Sequence, residues 1–246
     1  MLAWQKGKII EIKQVAPTTR SFFIETTETI SFDFEPGQFI TLDLPIHTQK
    51  NRRWRSYSIS SSPNKTNIIE LVIVYLEGGA GSNFLFNETK VGDEITFRGP
   101  LGKFVLPSTL DKDLYLICTG TGVAPFRSMI HHIQQHQISF KNIYLIFGCR
   151  TFDYALYKDE FIELQSQLPN FHYLPCFSRE NEIPDWGKKG YVHDAYLEIL
   201  NSKKSNSHLP EAYFYLCGWK NMIDEAQKRL MDLGYVKKDI HYELYG

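Results

Sequence analysis

Short stretches of alternating apolar and polar residues fill the chain up to Pro107, and such alternation is typical of strands with one buried face. The predicted strands are residues 8–15, 20–25, 38–44, 56–60, 69–76 and 94–97. Turn-forming pairs lie between them at Pro36-Gly37, Pro63-Asn64 and Gly92-Asp93. Short strands separated by such turns predict a small antiparallel β-barrel in this half of the chain.

Beyond Asp111 the apolar residues form continuous runs, which fit strands buried on both faces. These strands are predicted at residues 114–118, 143–147, 172–177 and 213–217. Segments with apolar residues at helical spacing follow them, at residues 126–133, 159–167, 192–200 and 221–233. Strands that alternate with helices predict a doubly wound parallel α/β sheet. We therefore expect two domains, residues 1–108 and residues 109–246.

The composition narrows the class of protein. The chain has 246 residues, of which 43% are hydrophobic and 22% charged, as in soluble globular proteins. A formal net charge of -1 does not indicate a nucleic-acid or membrane partner. No apolar run approaches the ~20 residues of a membrane-spanning helix. Because the N-terminus also lacks an apolar signal core, we expect a cytoplasmic protein.

The four cysteines, Cys118, Cys149, Cys176 and Cys217, are widely spaced and none of their pairs has the spacing of metal ligands. The C-x₄-C-x₂-C run of plant-type iron–sulfur proteins is absent from the sequence. We therefore predict no metal site. If this chain exchanges electrons with an iron–sulfur centre, that centre is expected in another protein.

A glycine-rich segment joins the first buried strand of the second half to the helix that follows it. In Gly120-Thr121-Gly122-Val123-Ala124-Pro125 the glycines let the backbone approach a pyrophosphate, and the start of the helix supplies free N–H groups. Pro125 suits the first helical turn, where its missing N–H would have no partner. The alternative is an ordinary strand–helix turn, but its position between strand and helix favours phosphate binding.

An NAD-binding unit usually carries an acidic residue at the end of its second strand, but here that strand and the next one end in cations. The second strand ends at Arg150, the third at Ser178-Arg179, and Lys189 and Tyr191 follow. Arginine beside a hydroxyl is suited to a phosphate monoester, which favours NADP over NAD. The alternative is that these cations are surface charges paired with Glu180 and Glu182.

The barrel half has two further polar features. The segment Arg55-Ser56-Tyr57-Ser58 places four functional side chains on one predicted strand, with Arg55 and Tyr57 on the same face. The segment Gly78-Gly79-Ala80-Gly81-Ser82-Asn83 is a second glycine-rich turn that opens a short helix. Two anion-binding turns in one protein indicate two phosphorylated ligands.

In order along the chain, these segments resemble the ferredoxin–NADP(+) reductase superfamily. Arg55–Ser58 resembles its R-x-Y-S flavin motif, Gly79–Ser82 its glycine turn, and Gly99–Phe104 its G-P-x-G segment. Gly120–Pro125 resembles its pyrophosphate loop, Ser178-Arg179-Glu180 its 2′-phosphate motif, and Cys217-Gly218 its C-G pair. His241–Tyr245 is similar to the H-x-E-x-Y ending of the plant-type members, although Gly246 extends one residue further.

The resemblance implies FAD on the barrel and NADP on the second domain. The implied catalytic residues are Ser58, Cys217, Glu243 and Tyr245. The implied cofactor-binding residues are Arg55, Tyr57, Ser58, Val72, Val74, Gly79, Gly81, Ser82, Gly120, Thr121, Gly122, Pro125, Arg150, Ser178, Arg179, Lys189, Tyr191, Gly218 and Tyr245. In this scheme Ser58 bonds the flavin N5, and Tyr245 covers the flavin ring and gives way to the nicotinamide.

The resemblance also implies a monomeric ferredoxin/flavodoxin–NADP(+) reductase. Basic residues near the flavin motif would dock the acidic carrier or be ordinary solvated charges; they are Lys50, Arg52, Arg53, Arg98 and Lys103. Three alternatives stay open: a reductase component of an oxygenase, a free-flavin reductase, and a non-catalytic flavin- or nucleotide-binding regulatory subunit.

Overall fold

The protein is described from a computed structural model, which covers residues 3–205 and 208–245. The chain forms two compact units. The first consists of the residues up to Leu106 together with Ala124–Gln135, and the second of Pro107–Val123 together with the residues from His136 onward. The predicted boundary between residues 108 and 109 stays a prediction. Gly246, the predicted extension beyond the C-terminal tyrosine, lies outside the described residues.

The first unit is an antiparallel barrel. Its strands are β1 (Gln5–Ala16), β2 (Thr19–Thr26), β3 (Phe39–Asp43), β4 (Trp54–Ser58), β5 (Ile68–Val74) and β6 (Glu94–Leu101). They are ordered β4-β3-β6-β1-β2-β5, and an antiparallel bridge between Ile59 and Leu71 joins the two end strands. Alternate residues such as Ile40 and Leu42 fill the interior, as the predicted period of two requires. Two helices belong to this unit, α1 (Ala80–Asn87) and α2 (Ala124–Gln135).

The second unit is a parallel sheet with helices. Its strands are β7 (Asp113–Thr119), β8 (Asn142–Cys149), β9 (Phe171–Phe177), β10 (Lys188–Lys189), β11 (Ala212–Trp219) and β12 (Ile240–Tyr245), in the order β10-β9-β8-β7-β11-β12. Its helices are α3 (Lys158–Gln167), α4 (Val192–Lys203) and α5 (Lys220–Leu233). None of the helices in the described parts of the chain is long and apolar enough to cross a membrane.

The predicted barrel strands and the four predicted buried parallel strands are confirmed, with shifts of a few residues at their ends. The prediction of the parallel sheet was incomplete, because it omitted the two edge strands β10 and β12. β10 has only two residues, too few to show a period. β12 lies at the edge of the sheet and includes His241 and Glu243, so it lacks the continuous apolar run of a central strand.

The strand order reverses between β7 and β11. From β7 the chain proceeds to β8 and β9 on one side, and it then returns to β11 on the other side of β7. All the strands of this sheet are parallel, so their carboxyl ends lie at one edge. The crevice outside such a reversal is where doubly wound sheets bind their ligands. Here its walls are the segments that follow β7 and end β11.

Candidate functional site

Arg55 lies against the first turn of α1. A Cβ added at Gly81 would lie 2.8 Å from Arg55 Cγ and 3.0 Å from Arg55 Nε, so only glycine leaves room for this side chain. The Arg55 guanidinium is held by hydrogen bonds from Nη1 to the carbonyl oxygens of Arg52, at 3.1 Å, and Trp54, at 2.7 Å. The tertiary structure therefore brings two predicted flavin segments, the R-x-Y-S strand and the glycine turn, into direct contact.

The turn before α1 leaves its N-terminus uncapped. Gly79 is the N-cap residue and supplies no side-chain hydrogen bond to the first-turn N–H groups. The Ser82 hydroxyl accepts a hydrogen bond from the Leu76 N–H at 3.1 Å and lies 3.1 Å from the carbonyl oxygens of Leu76 and Gly79. Ser82 thus braces the turn, and the first-turn N–H groups of α1 and Arg55 are suited to donate to an anion.

Tyr57 and Ser58 occupy the end of β4. Tyr57 pairs with Ile40 and packs against the barrel core, and burial raises its pKa to about 12 despite the opposing charge of Arg55. Ser58 pairs with Phe39 and is 3% exposed. The two predicted flavin-binding residues on β5 differ in exposure: Val72 is 4% exposed and Val74 is 41% exposed. Of these two valines, only Val74 presents a sizeable surface to a ligand.

Two glycines shape the loop after β7 in different ways. Gly120 has a φ of +54°, and a Cβ placed there would meet nothing within 4 Å. A Cβ at Gly122 would collide with the Cys217 carbonyl oxygen. Gly120 therefore leaves open space beside the backbone, as a pyrophosphate needs, and Gly122 allows close packing against β11. Thr121 lies between them, and α2, with Pro125 as its second residue, begins directly after the loop.

The end of β11 packs against the end of β7. Gly218 has a φ of +129°, and a Cβ added there would lie 2.5 Å from Thr119 Oγ1. The Trp219 N–H donates to Thr119 Oγ1 at 3.2 Å, and the Trp219 side chain is 64% exposed. This exposed tryptophan at the crevice was not predicted. A large aromatic residue directly after the C-G pair was the available signal.

β12 brings the C-terminal motif beside the C-G pair. The parallel register pairs Cys217 with Glu243 and Trp219 with Tyr245. Burial and the nearby Glu243 raise the pKa of the Cys217 thiol. A hydrogen bond with the Tyr245 side chain lowers this pKa, but by less than burial raises it. The thiol is fully buried and stays protonated at neutral pH. Cys217 is therefore suited to form an uncharged wall and unsuited to act as a nucleophile.

The predicted 2′-phosphate residues converge at the carboxyl ends of β8 and β9. The Arg179 N–H donates to the Arg150 carbonyl at 2.9 Å, and the Ser178 N–H donates to the Cys149 carbonyl at 3.1 Å. Lys189 on β10 pairs with Phe177. Tyr191 is the N-cap residue of α4 and is 66% exposed. Residues from separate segments thus form one basic, aromatic-edged surface.

The alternative was that Glu180 and Glu182 neutralise Arg150, Arg179 and Lys189. The contacts of Glu180 do not support it. Its Oε1 accepts a hydrogen bond from the Phe152 N–H at 2.8 Å. The ion pairs within residues 3–205 and 208–245 include none that involves Arg150, Arg179 or Lys189. The adjacent Lys188, in contrast, pairs with Glu198. Three cations are therefore available to an anionic ligand.

The basic residues near the flavin strand differ in their surroundings. The Arg98 guanidinium packs against the neighbouring rings of Trp4, at 4.9 Å, and Trp54, at 4.5 Å, so it is not an ordinary solvated charge. Arg53 Nε pairs with Asp43 at 2.8 Å. Lys50 and Arg52 lie exposed on a short 3₁₀ turn of residues 50–52, and Lys103 is also exposed.

Comparisons with known proteins agree with this geometry. Residues 6–106 match the family model of the oxidoreductase FAD-binding domain, and residues 116–228 match that of the oxidoreductase NAD-binding domain. The toluate 1,2-dioxygenase electron transfer component of Pseudomonas putida is 30% identical over 245 residues, which are 99% of this chain and 68% of that protein. The chain belongs to the ferredoxin–NADP(+) reductase superfamily of FAD-binding oxidoreductases.

Individual relatives differ in length. The phenol hydroxylase P5 protein of Acinetobacter pittii is 30% identical over 241 residues, and the match covers 98% of this chain but only 65% of that relative. A solved ferredoxin NADP+ reductase from Neisseria gonorrhoeae, with bound FAD and NADP, has a TM-score of 0.80 and 25% identity. That comparison covers 98% of both chains. The superfamily thus contains relatives both longer than this chain and of similar length.

Proposed function

We propose that this protein is a reductase that transfers hydride between NADP(H) and bound FAD and exchanges single electrons with a protein carrier. One observation supports the proposal: each unit contains a glycine-rich turn, one beside Arg55 and one at the β7–β11 crevice. In a family whose domains bind FAD and a nicotinamide dinucleotide, these turns supply a place for each pyrophosphate.

On the barrel, the proposed FAD site uses Arg55 and the first-turn N–H groups of α1 for the pyrophosphate. Gly79 leaves room for the Ser82 hydroxyl and Gly81 for the Arg55 side chain, and Val74 offers an exposed apolar surface for the flavin. The Tyr57 phenol stays protonated over the whole neutral range because its pKa is raised to about 12. It would therefore pack an uncharged ring on the flavin.

On the second unit, Thr121 and the loop glycines would bind the pyrophosphate of the dinucleotide. Arg150, Ser178, Arg179, Lys189 and Tyr191 would surround the adenosine end. Arginines without a carboxylate partner beside a serine hydroxyl are suited to the 2′-phosphate, which supports NADP as the preferred dinucleotide.

The chemistry is divided between cofactor and protein. FAD accepts two electrons as hydride and can release them one at a time. The protein residues would orient the reactants and exclude water. Gly218 lets the end of β11 pack closely against Thr119, where the nicotinamide is proposed to bind, and Cys217 would form an uncharged wall. Glu243, next to Cys217 in register, is the proposed proton-handling group, and Ser58 the proposed hydrogen-bonding partner of the flavin N5. Tyr245 is proposed to move when the nicotinamide enters.

For the carrier, we propose a small acidic protein such as a ferredoxin or flavodoxin. Lys50, Arg52 and Lys103 are exposed cations that can attract it, whereas Arg98 packs against two tryptophans. We further propose that the protein acts as a monomer in the cytoplasm, and gel filtration tests the first of these points.

A second candidate is a reductase component that feeds an oxygenase. The names of the toluate dioxygenase component and the phenol hydroxylase P5 protein favour it. Turnover with a ferredoxin, a flavodoxin, an oxygenase component and free FMN would separate these functions. The highest kcat/KM with ferredoxin or flavodoxin supports the first candidate, and preference for the oxygenase component supports the second.

The decisive experiment is an anaerobic titration of the purified, FAD-loaded protein with NADPH and with NADH, followed by flavin absorbance. We expect bound flavin, and bleaching at lower concentrations of NADPH than of NADH. A protein that neither contains nor binds FAD contradicts the proposal, and equal response to the two dinucleotides contradicts the NADP preference.

A further inference from the structure

A buried carboxylate lies inside the barrel unit on β5. Glu70 is 5% exposed, and its Oε1 accepts a hydrogen bond from the Ser21 hydroxyl at 2.6 Å. Its Oε2 accepts a hydrogen bond from Arg127 Nη1 at 2.7 Å. Both carboxylate oxygens therefore have donors, as a buried charge requires. None of these three residues belongs to the predicted cofactor sites.

Arg127 has a second partner in the same unit. Its Nη1 also donates to the carbonyl oxygen of Ser60 at 3.1 Å, and its side chain is 16% exposed. Arg127 stands in the first turns of α2, the helix that continues the chain from the glycine loop Gly120–Val123. One guanidinium nitrogen thus joins α2, the buried carboxylate of β5 and the chain segment that leaves β4.

The segment held by Arg127 is the continuation of the predicted flavin strand. Ser58 is the last residue of β4, and the next residue, Ile59, forms the bridge to Leu71 that links β4 and β5. At Ser60 the N–H and the hydroxyl both donate to the Glu70 carbonyl, at 2.8 Å and 3.0 Å. Ile59 and Ser60, the two residues that follow Ser58, are therefore held to β5, and Arg127 bonds the Ser60 carbonyl.

We propose that Arg127 is a positioning residue for Ser58, acting through Ser60 and Glu70. This inference rests on the proposed function, in which the Ser58 hydroxyl bonds the flavin N5. The buried carboxylate of Glu70 fixes the Arg127 guanidinium, and this guanidinium holds the Ser60 carbonyl. The backbone is therefore restricted two residues from Ser58. Without Arg127, the Ser58 hydroxyl would lose its fixed direction while the phosphate-binding residues of both cofactors remain intact.

The test uses FAD-loaded protein and the limiting rate of flavin reduction by NADPH, measured by anaerobic stopped-flow absorbance. Arg127→Met should lower this rate at least about tenfold, because a misplacement of about 1 Å at a reacting centre can lower a rate on the order of 100-fold. The NADPH concentration that gives half the limiting rate should change less than about twofold, since the phosphate ligands are unaltered. Arg127→Lys keeps a cation beside Glu70 and should recover most of the rate.

A matched control is Arg20→Met. Arg20 is another arginine of the barrel; within the described residues it donates hydrogen bonds to Gln14 and, from Nη1 at 2.8 Å, to the Phe86 carbonyl, and not to Ser60 or Glu70. This change should lower the melting temperature without changing the limiting rate. All rates are compared for variants with the wild-type FAD content, well below each melting temperature. If Arg127→Met does not fold, Arg127→Lys and Glu70→Gln are compared in its place.

The decisive experiment introduces Arg127→Met and the control Arg20→Met into the Ser58→Ala variant. If Arg127 acts through Ser58, its substitution should have little further effect once the Ser58 hydroxyl is absent. The proposal is overturned if Arg127→Met leaves the limiting rate unchanged. It is also overturned if Arg127→Met lowers the rate by the same factor in the Ser58→Ala background as in the wild type. Failure of the proposed function would be visible earlier and differently, because the wild-type protein itself would not bind FAD or would not be reduced by NADPH.

Discussion

Cys217 and Glu243 are direct neighbours on the parallel strands β11 and β12. The thiol is fully buried, and the carboxylate beside it adds to the effect of burial in raising the thiol pKa. A fully buried thiol next to an acidic group is thus kept in its uncharged form. The pair shows how a sheet register, and not chain proximity, assembles this end of the site.

The first prediction concerns pH. The raised pKa means that folded Cys217 keeps its proton where an unfolded thiol, with an ordinary pKa of 9.0, loses it. Stability from this group is therefore fully present below pH 9 and falls as the pH rises above it. We expect the free energy of unfolding to fall less steeply between pH 9 and 10.5 in Cys217→Ala than in the wild type, as measured by urea denaturation. Equal slopes would contradict the buried, uncharged state of the thiol.

The second prediction concerns dinucleotide choice. Arg179→Ala should raise KM for NADPH by roughly 10- to 100-fold, because a charged hydrogen bond to the 2′-phosphate contributes about 1.5–3 kcal/mol. KM for NADH should change little. Lys188→Ala is the matched control, since Lys188 already pairs with Glu198 and should affect NADPH much less. Equal effects of Arg179→Ala on both dinucleotides would indicate an NADH enzyme.

The third prediction concerns the C-terminal aromatic residue. Tyr245→Ser should improve turnover with NADH, because a ring proposed to cover the flavin no longer competes with the nicotinamide. Tyr242→Ser is the control on the same strand: its side chain is 52% exposed and alternates to the opposite face of β12. Steady-state kcat/KM for NADH is the measurement. No difference between the two variants would remove Tyr245 from the proposed gate.

The fourth prediction concerns the contact of Arg55 with α1. Gly81→Ala would force the Arg55 side chain to move, because the new Cβ would lie 2.8 Å from Arg55 Cγ. We expect about a tenfold weaker FAD affinity, from the loss of roughly one charged hydrogen bond. Ala80→Ser, at the neighbouring exposed position of the same turn, should leave the affinity near that of the wild type. Fluorescence titration of the apoprotein with FAD measures both, and equal affinities would count against Arg55 as a pyrophosphate ligand.

Much of the fold follows from local patterns in the sequence. The period of two predicts the barrel strands, and the apolar runs predict the central strands β7, β8, β9 and β11. The helix end at Gly234 is another local feature, since its φ of +110° suits glycine. The glycine loops and the R-x-Y-S motif likewise depend on neighbouring residues and indicate two phosphorylated cofactors. The cofactor roles of individual residues stay predictions.

Only the tertiary structure decided which of these segments meet. β12 pairs with β11 across a long stretch of chain, and its mixed polar pattern did not reveal a strand. Arg55 touches Gly81, Arg98 packs against two tryptophans, and Arg127 bonds Glu70. Each contact joins residues far apart in sequence, so no local period or spacing encodes it. Local order determined the elements of this protein, and long-range packing determined which side chains face one another.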